Sequence, residues 1–201
     1  MIINKLSNLA LMEQVEREEL GRISSLLPDN AVIVEVGTFC GGSAAIMSSS
    51  NSSAQIHCFD MFENDSHKSY RGPNQYRLFY ELLEVEHAER TIENVAKVLK
   101  DFPNIHLYKK HSPFEIKFDI PIDLYFEDGQ HTNPVLERNL NFWSSRVKKQ
   151  GYIAIHDCRP WLPLDHYHRF VDVENARDKL LANGYTLVSH VRGLVILQKN
   201  I

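Results

Sequence analysis

Val34-Glu35-Val36-Gly37-Thr38-Phe39-Cys40-Gly41-Gly42-Ser43 decides the fold. The apolar, β-branched run Ala31 to Val36 suits a strand buried on both faces. A glycine-rich turn follows it, and Ser43 to Ser49 reads as a helix. Glycine lets a backbone adopt positive φ and come close to a ligand. The unpaired amides of a helix start attract a negative group. The spacing is not the GxGxxG of dinucleotide binders. No Lys-Ser/Thr follows, so it is not a P-loop. Glu35, at the strand end, would repel a pyrophosphate and attract an ammonium.

Strand–helix alternation continues outward from this turn. Leu9, Met12, Val15, Leu20, Ile23 and Leu27 recur at helical spacing and predict an N-terminal amphipathic helix, stopped by Pro28-Asp29-Asn30. Gln55 to Phe59 reads as a strand ending on Asp60, and the polar stretch to Asn74 as a loop. Tyr76, Phe79, Leu83, His87, Ile92, Val95 and Leu99 form a stripe that predicts one long helix over 75–101. Strands are expected at Ile105–Tyr108, Ile122–Phe126 and Tyr152–Ile155, with helices at Pro134–Val147 and Asp172–Asn183. Gly184 ends the last helix. Tyr185–Ser189 and Leu194–Leu197 close the chain as a hairpin around Arg192-Gly193. Such alternation predicts an α/β fold, a Rossmann-like doubly wound sheet of about seven strands, mostly parallel, with one antiparallel strand from the C-terminal hairpin. Residues 1–30 read as a helical appendage and 31–201 as the main domain.

In doubly wound sheets ligands sit beyond the carboxyl ends of the strands. Asp60 stands there, in the place of an acid that takes ribose hydroxyls, although somewhat farther along the chain than is usual. The densest group lies at two later strand ends, Asp128-Gly129-Gln130-His131 and His156-Asp157. Neighbouring parallel strands bring their ends about 5 Å apart. Two carboxylates with an imidazole then make a hard divalent site of the Mg²⁺ type. A histidine left off the metal suits a general base. A salt-bridged, capped turn is the structural alternative.

The formal charge of −4 and a mean hydropathy of −0.31 describe an ordinary water-exposed domain. That charge argues against a broad nucleic-acid footprint. Cys40, Cys58 and Cys158 form neither a disulfide framework nor a CxxC metal site. A cytoplasmic setting without membrane association is the simpler expectation.

The pattern E-x-G-x-x-x-G-x-S, the acid after the second strand, then D-G-x-H and H-D resembles the class I S-adenosylmethionine-dependent methyltransferases. Within them it is most similar to the macrocin and sugar O-methyltransferase group, over Ala31 to Ile201. The resemblance implies that Glu35, Gly37, Thr38, Gly41 and Ser43 hold the methionine part of S-adenosylmethionine. It implies that Asp60 holds the ribose and Ser112 contacts adenine. Asp128 and Asp157 match metal-binding acids, and His131 matches the base. His156 stands where some relatives have a third acidic metal ligand. Asn139, Glu127 and Gln150 depart from the family's usual residues.

The implied acceptor is a small hydroxylated molecule, and a homo-oligomer is compatible with the pattern. His166, His168 and Trp161 suggest an acceptor-side lid. His67, Lys68, Tyr70 and Arg71 suggest a cofactor-side one. Glu81 to Arg90 reads as a solvated helix face. His57 and His106 read as structural, and Cys158 lacks a nucleophile's partners. The competing readings are a metal-independent methyltransferase, a nucleotide-binding oxidoreductase and a non-catalytic module on a degenerate fold.

Overall fold

Val32–Val36 (β1) forms the centre of a seven-stranded sheet of order β3-β2-β1-β4-β5-β7-β6. The computed structural model describes residues 2–63, 73–86, 88–114 and 116–200. The other strands are β2 (Gln55–Asp60), β3 (Ile105–Lys109), β4 (Ile122–Glu127), β5 (Val147–Ile155), β6 (Tyr185–Val191) and β7 (Leu194–Lys199). β1 runs parallel to both β2 and β4, with Val36 level with Phe59 on one side and Glu127 on the other. β7 is antiparallel to both β5 and β6, so it alone opposes the sheet. The expected mixed sheet with its C-terminal hairpin is therefore present.

The side-chain period of a strand divides the core. Ile33, Leu124, Phe126 and Ala154 face one layer, with Leu20 and Ile23 of α2 (Gln14–Ser25) and Ala44 and Met47 of α3 (Gly42–Ser50). Val34, Tyr125, Ile153 and Ile155 face the other, with Leu136, Leu140 and Trp143 of α6 (Val135–Ser144) and Val173 of α7 (Val171–Ala182). Trp143 is wholly buried, its ring centroid 5.3 Å from that of Phe59 and 5.8 Å from that of Tyr125. No described helix is long and apolar enough to cross a membrane.

Three elements differ from expectation. The long helix over 75–101 is two helices, α4 (Pro73–Leu83) and α5 (Ile92–Val98). Glu84 takes a left-handed φ of 57°, and Thr91 caps α5 by accepting the Asn94 N–H at 3.3 Å. His87 lies outside the described residues. The N-terminal helix expected over Leu9 to Leu27 is confined to α2, and a separate helix, α1 (Ile2–Ser7), precedes it. Leu9 to Glu13 lies between them, and a capping box of Glu13 and Glu16 starts α2. On α2, Val15 is exposed and Glu16 takes its place on the buried stripe with Leu20 and Ile23. Finally, α6 stops at Ser144, and β5 begins at Val147 rather than Tyr152. The β4–β5 register shifts there, near Gln150 at φ 65°.

One close approach fixes the strand ends. Gly37 has φ +92°, and a Cβ on it would stand 2.2 Å from the Asp128 carbonyl oxygen. Gly37→Ala is expected to lower stability by about 2–4 kcal/mol, through backbone strain and this clash together. Urea denaturation compared with the wild type measures it.

Candidate active site

The sheet reverses its order between β1 and β4, and ligands of open α/β sheets bind at such a point. The ladder continues one residue past the strands. The Asp128 N–H donates to the Val36 carbonyl at 2.9 Å, and the His156 N–H donates to the Glu127 carbonyl at 3.1 Å. These bonds bring Asp128, His156 and Asp157 level, above a cleft of about 1340 Å³. That exceeds the few hundred to one thousand Å³ usual for a single ligand and leaves room for two.

Gly37, Thr38 and Ser43 of the glycine turn line the cleft, with Asp60 and Ser112. Gly41, left-handed at φ 88°, brings no capping side chain to α3. Glu35 and Gly41 do not line the cleft. Glu35 is buried behind β1, where it accepts a hydrogen bond from the Ser43 hydroxyl. Burial pushes its carboxyl up to about 7, against the lowering effect of Ser43. A Cβ on Gly41 would stand 2.7 Å from Leu99, so this glycine serves packing.

Asp60 accepts from the Phe39 and Phe62 N–H groups at 2.9 and 2.7 Å and pairs with Arg90 at 2.9 Å. Arg90 also donates to the Glu63 carbonyl at 2.6 Å and lies over the Phe39 ring. It is only 5% exposed, so the stretch read as a solvated face ends in a buried cation. Ser112 donates to Asn139 and accepts from the Trp143 indole, both at 2.9 Å, which ties this wall to the core.

Asp128, His131 and Asp157 converge in the same cleft, Asp128 directly beside Gly37, each offering a ligand atom within 4.8 Å of the others. His131 Nδ1 lies 3.5 Å from Asp157. Its Nε2 is buried 3.6 Å from Asp128, beyond hydrogen-bond reach, with no hydrogen-bond partner among the described residues. The two carboxylates offer the oxygen donors that a hard cation takes, and the unpartnered nitrogen beside them can accept a proton or join as a ligand. His156 is placed differently. It is 2% exposed, with Nδ1 on Asp128 at 2.9 Å and Nε2 facing Glu16 at 3.4 Å. Burial opposes the charged forms of His156 and Asp128, yet their mutual attraction prevails. The imidazole is held well above its ordinary pKa and the carboxyl below. The same holds for His131, raised by Asp128 and Asp157 against burial. Asp157 is left-handed at φ 59°, which aspartate tolerates, and Arg159 holds it at 3.0 Å.

The match to a family model described as "Methyltransferase domain" spans residues 34–158, more than half of the chain and every strand end named above except those of β6 and β7. The chain belongs to this methyltransferase family. None of the curated proteins matches it significantly. Solved structures share its fold. A Staphylococcus aureus protein provisionally called a caffeoyl-CoA O-methyltransferase superposes with a TM-score of 0.65 at 13% identity, over 96% of this chain and 86% of that one. The SAH-bound Podospora anserina methyltransferase PaMTH1 does so at 0.63 and 13%, over 95% and 80%. An rRNA methylase from Streptococcus thermophilus follows at 0.59 and 12%, over 96% and 100%. At these identities the likeness is one of fold. It does not choose among acceptors.

The methyltransferase carries cleft residues that sequence reasoning missed. Leu9 to Glu13 and Arg159 line it, as do Arg90 and Lys110. Of the proposed acceptor lid, His168 lines the cleft beside Tyr167 and Phe170, whereas Trp161 and His166 do not. His67, Lys68, Tyr70 and Arg71 lie outside the described residues. His57 and His106 are edge-side aromatics, stacked at 5.1 Å on β2 and β3. Cys158 is buried, and burial raises its thiol to about 11.

Glu127 gives a testable consequence. It is wholly buried, accepts from the Tyr125 hydroxyl and the Gly129 N–H, and is pushed up to about 7 by burial. A raised carboxyl pKa means that the folded state keeps a proton that the unfolded chain releases. The resulting stability is complete below about pH 4.5 and is lost as pH rises through about 7. Glu127→Gln should remove a decline on the order of 3 kcal/mol between pH 5 and 8. Urea denaturation of both proteins at the two pH values checks this.

Proposed function

We propose that this methyltransferase uses S-adenosylmethionine to methylate a hydroxyl of a small molecule, such as a sugar or glycosylated natural product, with the help of Mg²⁺ or another divalent cation. The observation that carries the reading is the convergence of Asp128, His131 and Asp157 in the same cleft as the Gly37 turn and Asp60. The SAH bound by PaMTH1 and the resemblance to the sugar O-methyltransferase group support the cofactor and the acceptor class. The net charge of −4 favours a small acceptor over a nucleic acid.

When bound, S-adenosylmethionine supplies a methyl group activated on a sulfonium, and a divalent cation supplies charge that acidifies a coordinated hydroxyl. The chain supplies everything else. Ser43 of the first turn of α3 lines the cleft, where the start of a helix would favour the cofactor's carboxylate. Asp60, its orientation fixed by two backbone amides and Arg90, offers its remaining Oδ2 lone pair to a ribose hydroxyl. Asp128 and Asp157 supply hard oxygen donors, fixed in place by His156 and Arg159. His131 accepts the hydroxyl proton, and Asp157 at its Nδ1 orients the ring. Met12, Tyr167 and Phe170 give apolar walls on the acceptor side.

A second reading has its own observation: each acid of the cluster already faces a histidine or arginine, as a cation-free site would require. Transfer of labelled methyl groups to a panel of sugars and phenols, in Mg²⁺ and in EDTA, separates the two. The proposal expects EDTA and Asp128→Ala each to lower turnover at least about 100-fold. His131→Ala should lower kcat by about 10²–10⁴ with SAH affinity retained. Full turnover in EDTA leaves the methyltransferase metal-independent. Loss of cation affinity in His131→Ala makes His131 a ligand rather than the base.

A further inference from the structure

Glu16 is an acid on the buried stripe of α2, wholly enclosed in the protein. A buried carboxylate is costly unless it is paired and hydrogen-bonded. Oε2 of Glu16 accepts the Glu13 N–H at 2.6 Å, the reciprocal half of the capping box. A solvent-facing glutamate would serve that cap equally well. Here the same carboxylate does more. Its Oε1 accepts the Gly193 N–H at 2.6 Å, in the turn between β6 and β7, and its Oε2 faces His156 Nε2 at 3.4 Å. The opposite nitrogen of that ring lies 2.9 Å from Asp128 Oδ1. A continuous line of polar contacts thus runs from the N-terminal helix through His156 to Asp128.

Gly193 serves both acids of the cluster. A Cβ there would stand 2.9 Å from Arg159 Nε and 3.0 Å from Glu16 Oε1. Arg159 in turn holds Asp157. The turn therefore packs against the partner of Asp157 and against the far end of the line that reaches Asp128.

We propose that Glu16 is a positioning residue of the active site: it holds the His156 ring in the orientation that fixes the Asp128 carboxylate for its ligand. The inference rests on reading Asp128 as a cation ligand and makes the N-terminal segment part of the catalytic unit. Glu16 touches no reacting group. It acts through His156, much as outer partners orient metal-binding side chains elsewhere.

The test uses the full chain, with Mn²⁺ as the probe. Glu16→Gln preserves side-chain volume but replaces the carboxylate. It should raise the Mn²⁺ Kd about 10-fold, within the 10–100-fold range seen when such partners are lost. The SAH Kd should stay within about two-fold, because Glu16 makes none of these contacts to the Gly37 turn, Asp60 or Ser112. Glu16→Asp, one methylene shorter, keeps the charge and serves if the glutamine variant does not fold. It should weaken Mn²⁺ in the same direction.

An unchanged Mn²⁺ Kd in a folded variant overturns the proposal. So does an equal fall in Mn²⁺ and SAH affinity, which is the mark of general loosening. If the wild type binds no Mn²⁺, the metal in the proposed reaction is lost, and Glu16 is decided by nuclear magnetic resonance of the His156 ring nitrogens. A shift of those signals in Glu16→Gln sustains the positioning role. Signals that stay in place overturn it.

Discussion

The site depends on three neighbouring strands ending at one level. The Asp128 carbonyl lies so close to Gly37 that no side chain fits between them. That approach seals the β1–β4 edge, and the hydrogen bond from Asp128 N–H to the Val36 carbonyl fixes the register there. The next bond, from His156 N–H to the Glu127 carbonyl, carries the register to β5. Acids far apart in the chain meet for this reason, and the glycine turn adjoins them. Backbone geometry, rather than side-chain attraction, brings the carboxylates together. Their mutual repulsion is then offset by His131, His156 and Arg159.

Two kinds of buried acid follow from this arrangement. Glu35 and Glu127 point away from the cleft into the two layers of the core, where burial favours the neutral form. Asp128 and Glu16 lie on either side of His156, and the imidazole favours their charged forms. Strand alternation separates Glu127 from Asp128 although they are adjacent in sequence. One carboxyl braces Tyr125 and the Gly129 turn, and the next faces the ligand space. The same alternation turns Glu35 toward Ser43, behind the strand whose end carries the glycine turn.

The sheet was legible because its evidence is local. β1 is a short β-branched run, and the ends of β1, β2, β4 and β5 carry glycine or an acid. Neighbouring strand ends pointed to a gathering of Asp128, His131, His156 and Asp157, and the cluster itself holds Asp128, His131 and Asp157. What escaped depends on contacts distant in sequence. Glu16 is recognisable only as an acid on an apolar helical face, and its partner Gly193 comes near the far end of the chain. Arg90 ends an acidic stretch that resembles a solvated helix until Asp60 folds against it. The break between α4 and α5 escaped because the apolar stripe keeps helical spacing across it, while the left-handed Glu84 and the cap at Thr91 interrupt the backbone. His156 was grouped with the ligands by its strand end and by the family pattern, whereas its ring lies behind Asp128 and reaches Glu16.

The central claim is that the end of the cleft between the Gly37 turn and Asp60 takes S-adenosylmethionine. Calorimetric titration of SAH into the wild type and into Asp60→Ala tests it most directly. The account predicts micromolar binding to the wild type, weakened at least about 10-fold in Asp60→Ala, in keeping with loss of a charge-assisted contact. No heat of binding to folded wild-type protein, or equal affinity in the variant, would contradict it.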